Sequence, residues 1–281
     1  MVACRLLAID LDGTLVRDDG EIAPEDRAAV ARARDAGLAV TLATGRLVPA
    51  ALPLALALEL HLPLVCADGG ATFCPRTSDV LEVSPLPLRA LEALLDAAAT
   101  KEVAPFFLTP ESVVGARGST MFGVMAGFSP HLVQVDDLWS FALDEPPAAI
   151  VAGFAVGPEA RVRALAGGFC ATDDDGVETD VFPLGAGDDA WAIRLTLAGA
   201  SKAVALERLA GELGFHAGEV AVIGDWYNDI AMLRWARSSY AMGQAPDPVA
   251  RAARHRLRAT ARTGGGVAEA VAHLLAQPVA T

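Results

Sequence analysis

The 281-residue chain carries 22 Lys and Arg against 35 Asp and Glu, and its net charge of -13 disfavours a nucleic-acid partner, because a phosphate backbone wants a basic face. A small anionic substrate stays possible, since a local site with a metal overrides the global field. With 53 % hydrophobic and 20 % charged residues the chain can bury a sizeable core and is not disordered, and its length suits two domains.

The first element is a buried strand in LLAIDLDGTLV, residues 6–16, which stops at Asp10 and Asp12. Buried carboxylates are costly unless compensated, so this pair calls for a partner. A polar turn follows, then a helix over 24–36 with Pro24 in its first turn and Gly37 closing it. LAVTLATG, residues 38–45, reads as a second strand, a helix is expected around 50–60, and PLVCADG, residues 63–69, reads as a third strand. Strand and helix alternating at these spacings predict βαβ units and a parallel sheet. The stretch 47–65 is apolar enough to suggest a membrane span, but Pro49, Pro53, Pro63 and Glu59 interrupt it, and a buried helix followed by a strand is the better reading.

From about Ser84 the pattern changes. A helix over 87–99 is interleaved with candidate strands in APFFLT, SVVGARG and AAIVAGFAV, and ATDDDGVETD, residues 171–180, reads as a solvated turn. The earlier alternation then returns: a helix over 201–213, a strand in VAVIGD at 220–225, a helix over 228–236, a short strand near SYAMG and a final helix over 266–276. The expected fold class is α/β. A Rossmann-like parallel-sheet core in two segments, 1–83 and 191–281, is interrupted by an inserted α+β cap domain at 84–190. Cys4, Cys66, Cys74 and Cys170 lack the spacing of a disulfide scaffold, and the N-terminal run lacks the layout of an export signal, so a reduced cytoplasmic setting is expected.

In an open parallel sheet, ligands sit beyond the carboxyl ends of the strands. Four polar clusters fall at such ends or at the start of the helix that follows: Asp10 with Asp12, Thr44-Gly45-Arg46, Ser201-Lys202, and GDWYND at 224–229. Each taken alone is an ordinary turn or helix cap; their agreement in position is the signal. Only Lys101 and Lys202 of the 22 basic residues are lysines, which suits a site at 202 that needs a compact point charge and not a planar fork.

Those clusters, in that order, resemble the haloacid dehalogenase superfamily phosphatases, in particular the Cof-type branch with a large cap inserted after the third core strand. The first motif, Asp-x-Asp-x-Thr, matches at Asp10, Asp12 and Thr14; the second at Thr44; the third at Lys202; and Gly-Asp-x-x-Asn-Asp at Gly224, Asp225, Asn228 and Asp229. A tail of similar type follows in YAMGQA and TGGGVAEAV. The chain departs from the pattern at Asp68 and Gln244, where the family often has Asn, which touches local substrate contacts and not the reaction.

The resemblance implies a Mg²⁺-dependent phosphomonoester hydrolase acting on a small phosphorylated metabolite, a sugar phosphate by analogy. Asp10 would be the nucleophile that forms an aspartyl-phosphate, and Asp12 the general acid and base. The Asp10 side chain, the Asp12 backbone carbonyl and the Asp225 side chain would hold the metal. Thr44, the Gly45 amide, Lys202 and Asn228 would hold phosphate, with Asp229 as an orienting residue. The cap would close over the organic part of the substrate. Two rivals remain: a phosphomannomutase-like phosphoryl transferase, and a non-catalytic binding or regulatory protein. Neither a membrane partner nor an oligomeric state is implied.

Overall fold

The computed structural model describes residues 4–144, 149–170, 176–184 and 190–276. The chain divides into two compact units, one formed by residues 1–82 with 201–281, the other by 83–200. In chain order the first unit begins with β1 (Leu6–Ile9), α1 (Pro24–Asp35), β2 (Ala39–Leu42), α2 (Val48–Ala57), β3 (Leu64–Cys66), β4 (Ala71–Cys74) and β5 (Asp79–Val83). The second unit contains α3 (Leu88–Lys101), β6 (Ala104–Leu108), β7 (Val113–Ala116), α4 (Phe122–Phe128), β8 (Leu132–Val135), β9 (Ala152–Gly157), α5 (Glu159–Cys170), β10 (Val177–Pro183) and β11 (Trp191–Leu197). The first unit resumes with α6 (Lys202–Glu212), β12 (Val220–Gly224), α7 (Ile230–Trp235), β13 (Ser238–Ala241), α8 (Asp247–Ala252), β14 (His255–Arg256) and α9 (Gly266–Leu275).

The core sheet runs β14-β13-β12-β1-β2, with every pairing parallel. All four residues of β1 are fully buried, as a parallel strand covered on both faces requires. Leu7 and Ile9 face α1 and α9 through Ala29, Val30, Val267 and Val271. Leu6 and Ala8 face α6 and α7 through Leu206, Leu209, Met232 and Leu233. Period-two alternation in one strand thus feeds two cores. Asp26 of α1, fully buried, ties the two helices of the first face by accepting from the amides of Gly265 and Ala268, each at 2.8 Å.

The third strand is shorter than its sequence suggests. It is bridged to Ala43, the residue after β2, through Val65, and otherwise pairs antiparallel with β4. After Cys66 the chain turns through Ala67, Asp68 and Gly69, with φ of 50°, 55° and 96°. Gly69 is required there, because a Cβ at that position would lie 2.3 Å from the Ser201 carbonyl oxygen.

In the second unit the sheet order is β10-β11-β9-β6-β7-β8, antiparallel except for β7 and β8. Helices α3 and α5 share its apolar core. The structure moves the expected boundary at residue 190. Trp191–Leu197 pairs with both β9 and β10 and belongs with residues 83–200, not with the second core segment. The turn expected over 171–180 is corrected too. Val177–Asp180 opens β10, its side chains alternating between half-buried and exposed at a sheet edge, while residues 171–175 lie outside the described residues. No helix among the described residues is long and apolar enough to cross a membrane.

Candidate active site

Parallel pairing sets the site. Ile9 lies opposite Ile223, so β1 and β12 end side by side, and the Asp10 amide donates to the Ile223 carbonyl at 3.0 Å. Asp10 and Asp225 are thereby adjacent although 215 positions separate them in sequence. Between β1 and its following turn, Gly13 adopts φ +81°, and a Cβ there would sit 2.2 Å from Asp225 Oδ2. Only glycine lets the turn pass this close to the carboxylate. Thr14 Oγ1 donates to Asp225 Oδ1 at 3.3 Å, which holds that carboxylate from the same turn.

Lys202 opens α6, where Ser201 caps the helix by accepting from the Val204 amide at 3.3 Å. Its side chain is 1 % exposed, and Nζ donates to Asp10 Oδ1 and to Asp229 Oδ1, both at 2.7 Å, with Asp68 Oδ1 at 3.9 Å. The other oxygen of Asp229 accepts from the amides of Asp225 and Trp226 at 2.8 and 3.1 Å. Asp229 is therefore engaged on both oxygens, by the ammonium and by its own loop. Burial pushes the Asp10 carboxyl well up, opposed by Lys202 and assisted by Asp229 and Asp225. Burial and the Asp229 charge push Asp225 up to about 6. Burial alone would depress Lys202, but the carboxylates of Asp10, Asp229 and Asp68 outweigh it and raise it, so the lysine is firmly cationic.

Three buried carboxylates, Asp10, Asp225 and Asp229, thus face one buried cation, and an oxygen from each lies within 4.8 Å of the others. Hard oxygen donors with surplus negative charge suit a small divalent cation. The donor set expected from sequence, Asp10 and Asp225 with the Asp12 carbonyl, overlaps this cluster, and Asp229 is the added member.

The remaining expected residues fall around that cluster. The Asp12 carboxylate is 61 % exposed and is gripped by Arg46, whose Nε donates to Oδ2 at 2.8 Å and Nη2 to Oδ1 at 2.5 Å. The hydroxyl of fully buried Thr44 accepts from the Arg46 amide at 3.1 Å. Gly45 packs against Asp68, 3.1 Å separating a built Cβ from Oδ1. Asn228 Nδ2 donates to Asp68 Oδ1 at 2.8 Å, and its buried Oδ1 finds no partner among the described residues.

Three residues took larger parts than their sequence signal suggested. Asp68, met only as a departure, contacts both Asn228 and Lys202. Gln244, the other departure, holds Asp225 Oδ2 at 3.2 Å and the Gly13 carbonyl at 2.7 Å, so it braces the carboxylate end of β12. Arg46 lay in a cluster already noted, and its place beside Thr44 was the available clue.

A family model described as haloacid dehalogenase-like hydrolase matches residues 7–271, nearly the whole chain. The chain belongs to that family. Among the family's curated members, the pyridoxal phosphate phosphatase YbhA of Escherichia coli (strain K12) is 26 % identical over 265 residues, covering 87 % of this chain and 90 % of that protein. The 5-amino-6-(5-phospho-D-ribitylamino)uracil phosphatase YcsE of Bacillus subtilis (strain 168) is 26 % identical over 280 residues, covering 97 % and 96 %. The crystal structure of a haloacid dehalogenase-like hydrolase from Bacteroides thetaiotaomicron superposes with a TM-score of 0.81 at 24 % identity, covering 96 % of this chain and 99 % of that one. The expected fold class and the expected enzyme class, a phosphatase among hydrolases, agree with these family members.

Proposed function

We propose that this hydrolase is a Mg²⁺-dependent phosphomonoesterase for a small phosphorylated metabolite and works through a phosphoryl group carried on Asp10. The observation that supports it best is Lys202, buried and shared by Asp10 and Asp229 at 2.7 Å. A cation locked there can neutralise an incoming phosphate without moving, which is how preorganised charge lowers a barrier. Asp10 and Asp225, with the Asp12 carbonyl, would hold Mg²⁺, which when bound offsets the charge of phosphate against the carboxylates.

In this reading Asp12, released from Arg46, takes up a proton as substrate binds; an Asp10 oxygen then attacks phosphorus in line, and the ester bond breaks as the alcohol oxygen takes that proton from Asp12. Asp12, now ionised, removes a proton from water as the water oxygen attacks the same phosphorus, and Asp10 is regenerated. The Gly45 amide, Thr44, Lys202 and Asn228 surround the transferring group, and Asp229 holds Lys202 and the loop amides in register. The small phosphorylated compounds in the names of the two curated relatives support a metabolite-sized substrate, and a sugar phosphate remains the proposed class from sequence.

Phosphate release is measured from glucose 6-phosphate and pyridoxal phosphate with Mg²⁺, after metal stripping, and in excess EDTA. Turnover should require the metal, and Asp225→Ala should raise the Mg²⁺ concentration needed for half-activity at least about tenfold. Full turnover in EDTA, or unchanged Mg²⁺ dependence in Asp225→Ala, would refute the proposed metal site.

A further inference from the structure

Asp68 brings a carboxylate in among the residues that would hold phosphate, and the proposed chemistry gives it no task. Its backbone is fixed from two sides. The Asp68 amide donates to the Thr44 carbonyl and the Ala67 amide to the Arg46 carbonyl, both at 3.0 Å. The turn through Ala67, Asp68 and Gly69 lies in the left-handed region, and Gly69 sits against the Ser201 carbonyl at the start of α6. The turn is thus held between the loop of Thr44 and the helix that begins at Lys202.

The side chain reaches three of the four groups to which phosphate is assigned. Asn228 Nδ2 donates to Asp68 Oδ1 at 2.8 Å, and Lys202 Nζ stands 3.9 Å from the same oxygen. A Cβ built on Gly45 would lie 3.1 Å from Oδ1 and 3.3 Å from Oδ2. The Asp68 side chain is only 20 % exposed, so water and salt screen its charge poorly. These distances bound where an anion can go. A phosphate oxygen hydrogen-bonded to Lys202 Nζ lies no more than about 7 Å from Asp68 Oδ1. One bonded to Asn228 Nδ2 lies no more than about 6 Å from it. Any phosphate taken up by these donors therefore meets a like charge at close range.

We propose that Asp68 sets the phosphate affinity of the site, its charge weakening the hold on the ester and on released inorganic phosphate alike, so that product does not block the enzyme. This rests on the phosphatase reading above and adds control of product inhibition to it. The phosphoryl group stays negatively charged from bound ester to released product. The repulsion is therefore nearly uniform along the reaction, and it acts on KM and on product inhibition, not on kcat.

Asp68→Asn removes the charge and little else. The amide has the size of the carboxylate, its carbonyl oxygen accepts from Asn228 as before, and asparagine tolerates a left-handed backbone as aspartate does. Hydrolysis of p-nitrophenyl phosphate by the full chain with Mg²⁺ is followed with and without added inorganic phosphate. Binding of inorganic phosphate with Mg²⁺ is measured separately by calorimetry. Asp68→Asn should lower KM, the inhibition constant of phosphate and its calorimetric Kd by about tenfold each, while kcat stays within about threefold of the parent. Phosphate binding that is unchanged or weaker in Asp68→Asn, while the parent continues to release phosphate, overturns the inference and leaves the phosphatase reading standing. A loss of kcat with KM unchanged would make Asp68 part of the catalytic geometry and likewise overturn it. A parent that neither releases nor binds phosphate would strike the phosphatase reading itself, and the role of Asp68 with it.

Discussion

Replacing Lys202 with arginine keeps the charge and changes its shape, so it separates what the ammonium does from what any cation would do. Nζ sits 2.7 Å from an oxygen of Asp10 and 2.7 Å from an oxygen of Asp229, in a space only 1 % exposed. At an effective dielectric of about 20, a unit charge at that distance is worth roughly 6 kcal/mol per contact before desolvation. A guanidinium spreads its charge over a wide plane. If its centre stands about 4 Å from each oxygen, each contact drops to roughly 4 kcal/mol. That loss falls on the resting enzyme; the displaced charge must also meet the phosphate in the transition state, where losing one such preorganised contact costs about 10²- to 10³-fold in rate. Lys202→Met goes further and leaves buried carboxylates with no cation, which costs about 3–5 kcal/mol of stability. The assay pairs kcat on p-nitrophenyl phosphate with thermal unfolding of the full chain. Lys202→Arg should lose activity and unfold below the parent temperature, and Lys202→Met should lose activity and unfold lower still. If Lys202→Arg keeps kcat within about threefold, the lysine is not preorganised for phosphate and the reasoning fails.

Asp10→Asn should form no phosphoenzyme with any ester, whereas Asp12→Asn should accumulate one from p-nitrophenyl phosphate, whose leaving group needs no proton, and stall on alkyl phosphates; rapid-quench mass spectrometry would show one added phosphoryl group, and finding it on Asp10→Asn would reverse the two roles. Asp26→Ala should strand the amides of Gly265 and Ala268, now held at 2.8 Å, and lower stability in urea unfolding by about 2 kcal/mol or more, since each buried unpaired donor costs about 1–3 kcal/mol. A urea midpoint unchanged in Asp26→Ala would show that water serves those amides equally well.

What the sequence determined by itself was everything that depends on short-range order. Apolar runs of strand length alternating with helical stretches are local properties, and parallel sheets follow from them by connection rules. Because strand ends gather at one edge, the clusters holding Asp10, Asp225 and Lys202 could be placed at that edge from their positions, and the family resemblance joined them in one site. Tertiary structure decided what depends on partners remote in the chain. No strand is predicted over Trp191–Leu197 from the sequence, and only its pairing with β9 and β10 shows that it is one and to which sheet it belongs. The Asp12 carboxylate meets Arg46, 34 positions away, a pairing that no local pattern announces. Asp68 and Gln244 looked like mere substitutions, because a turn in the left-handed region and an amide reaching across to Asp225 leave no trace in local pattern. A residue type carries its chemistry with it, but distance and burial, which decide whether that chemistry is used, are set only when the chain closes on itself.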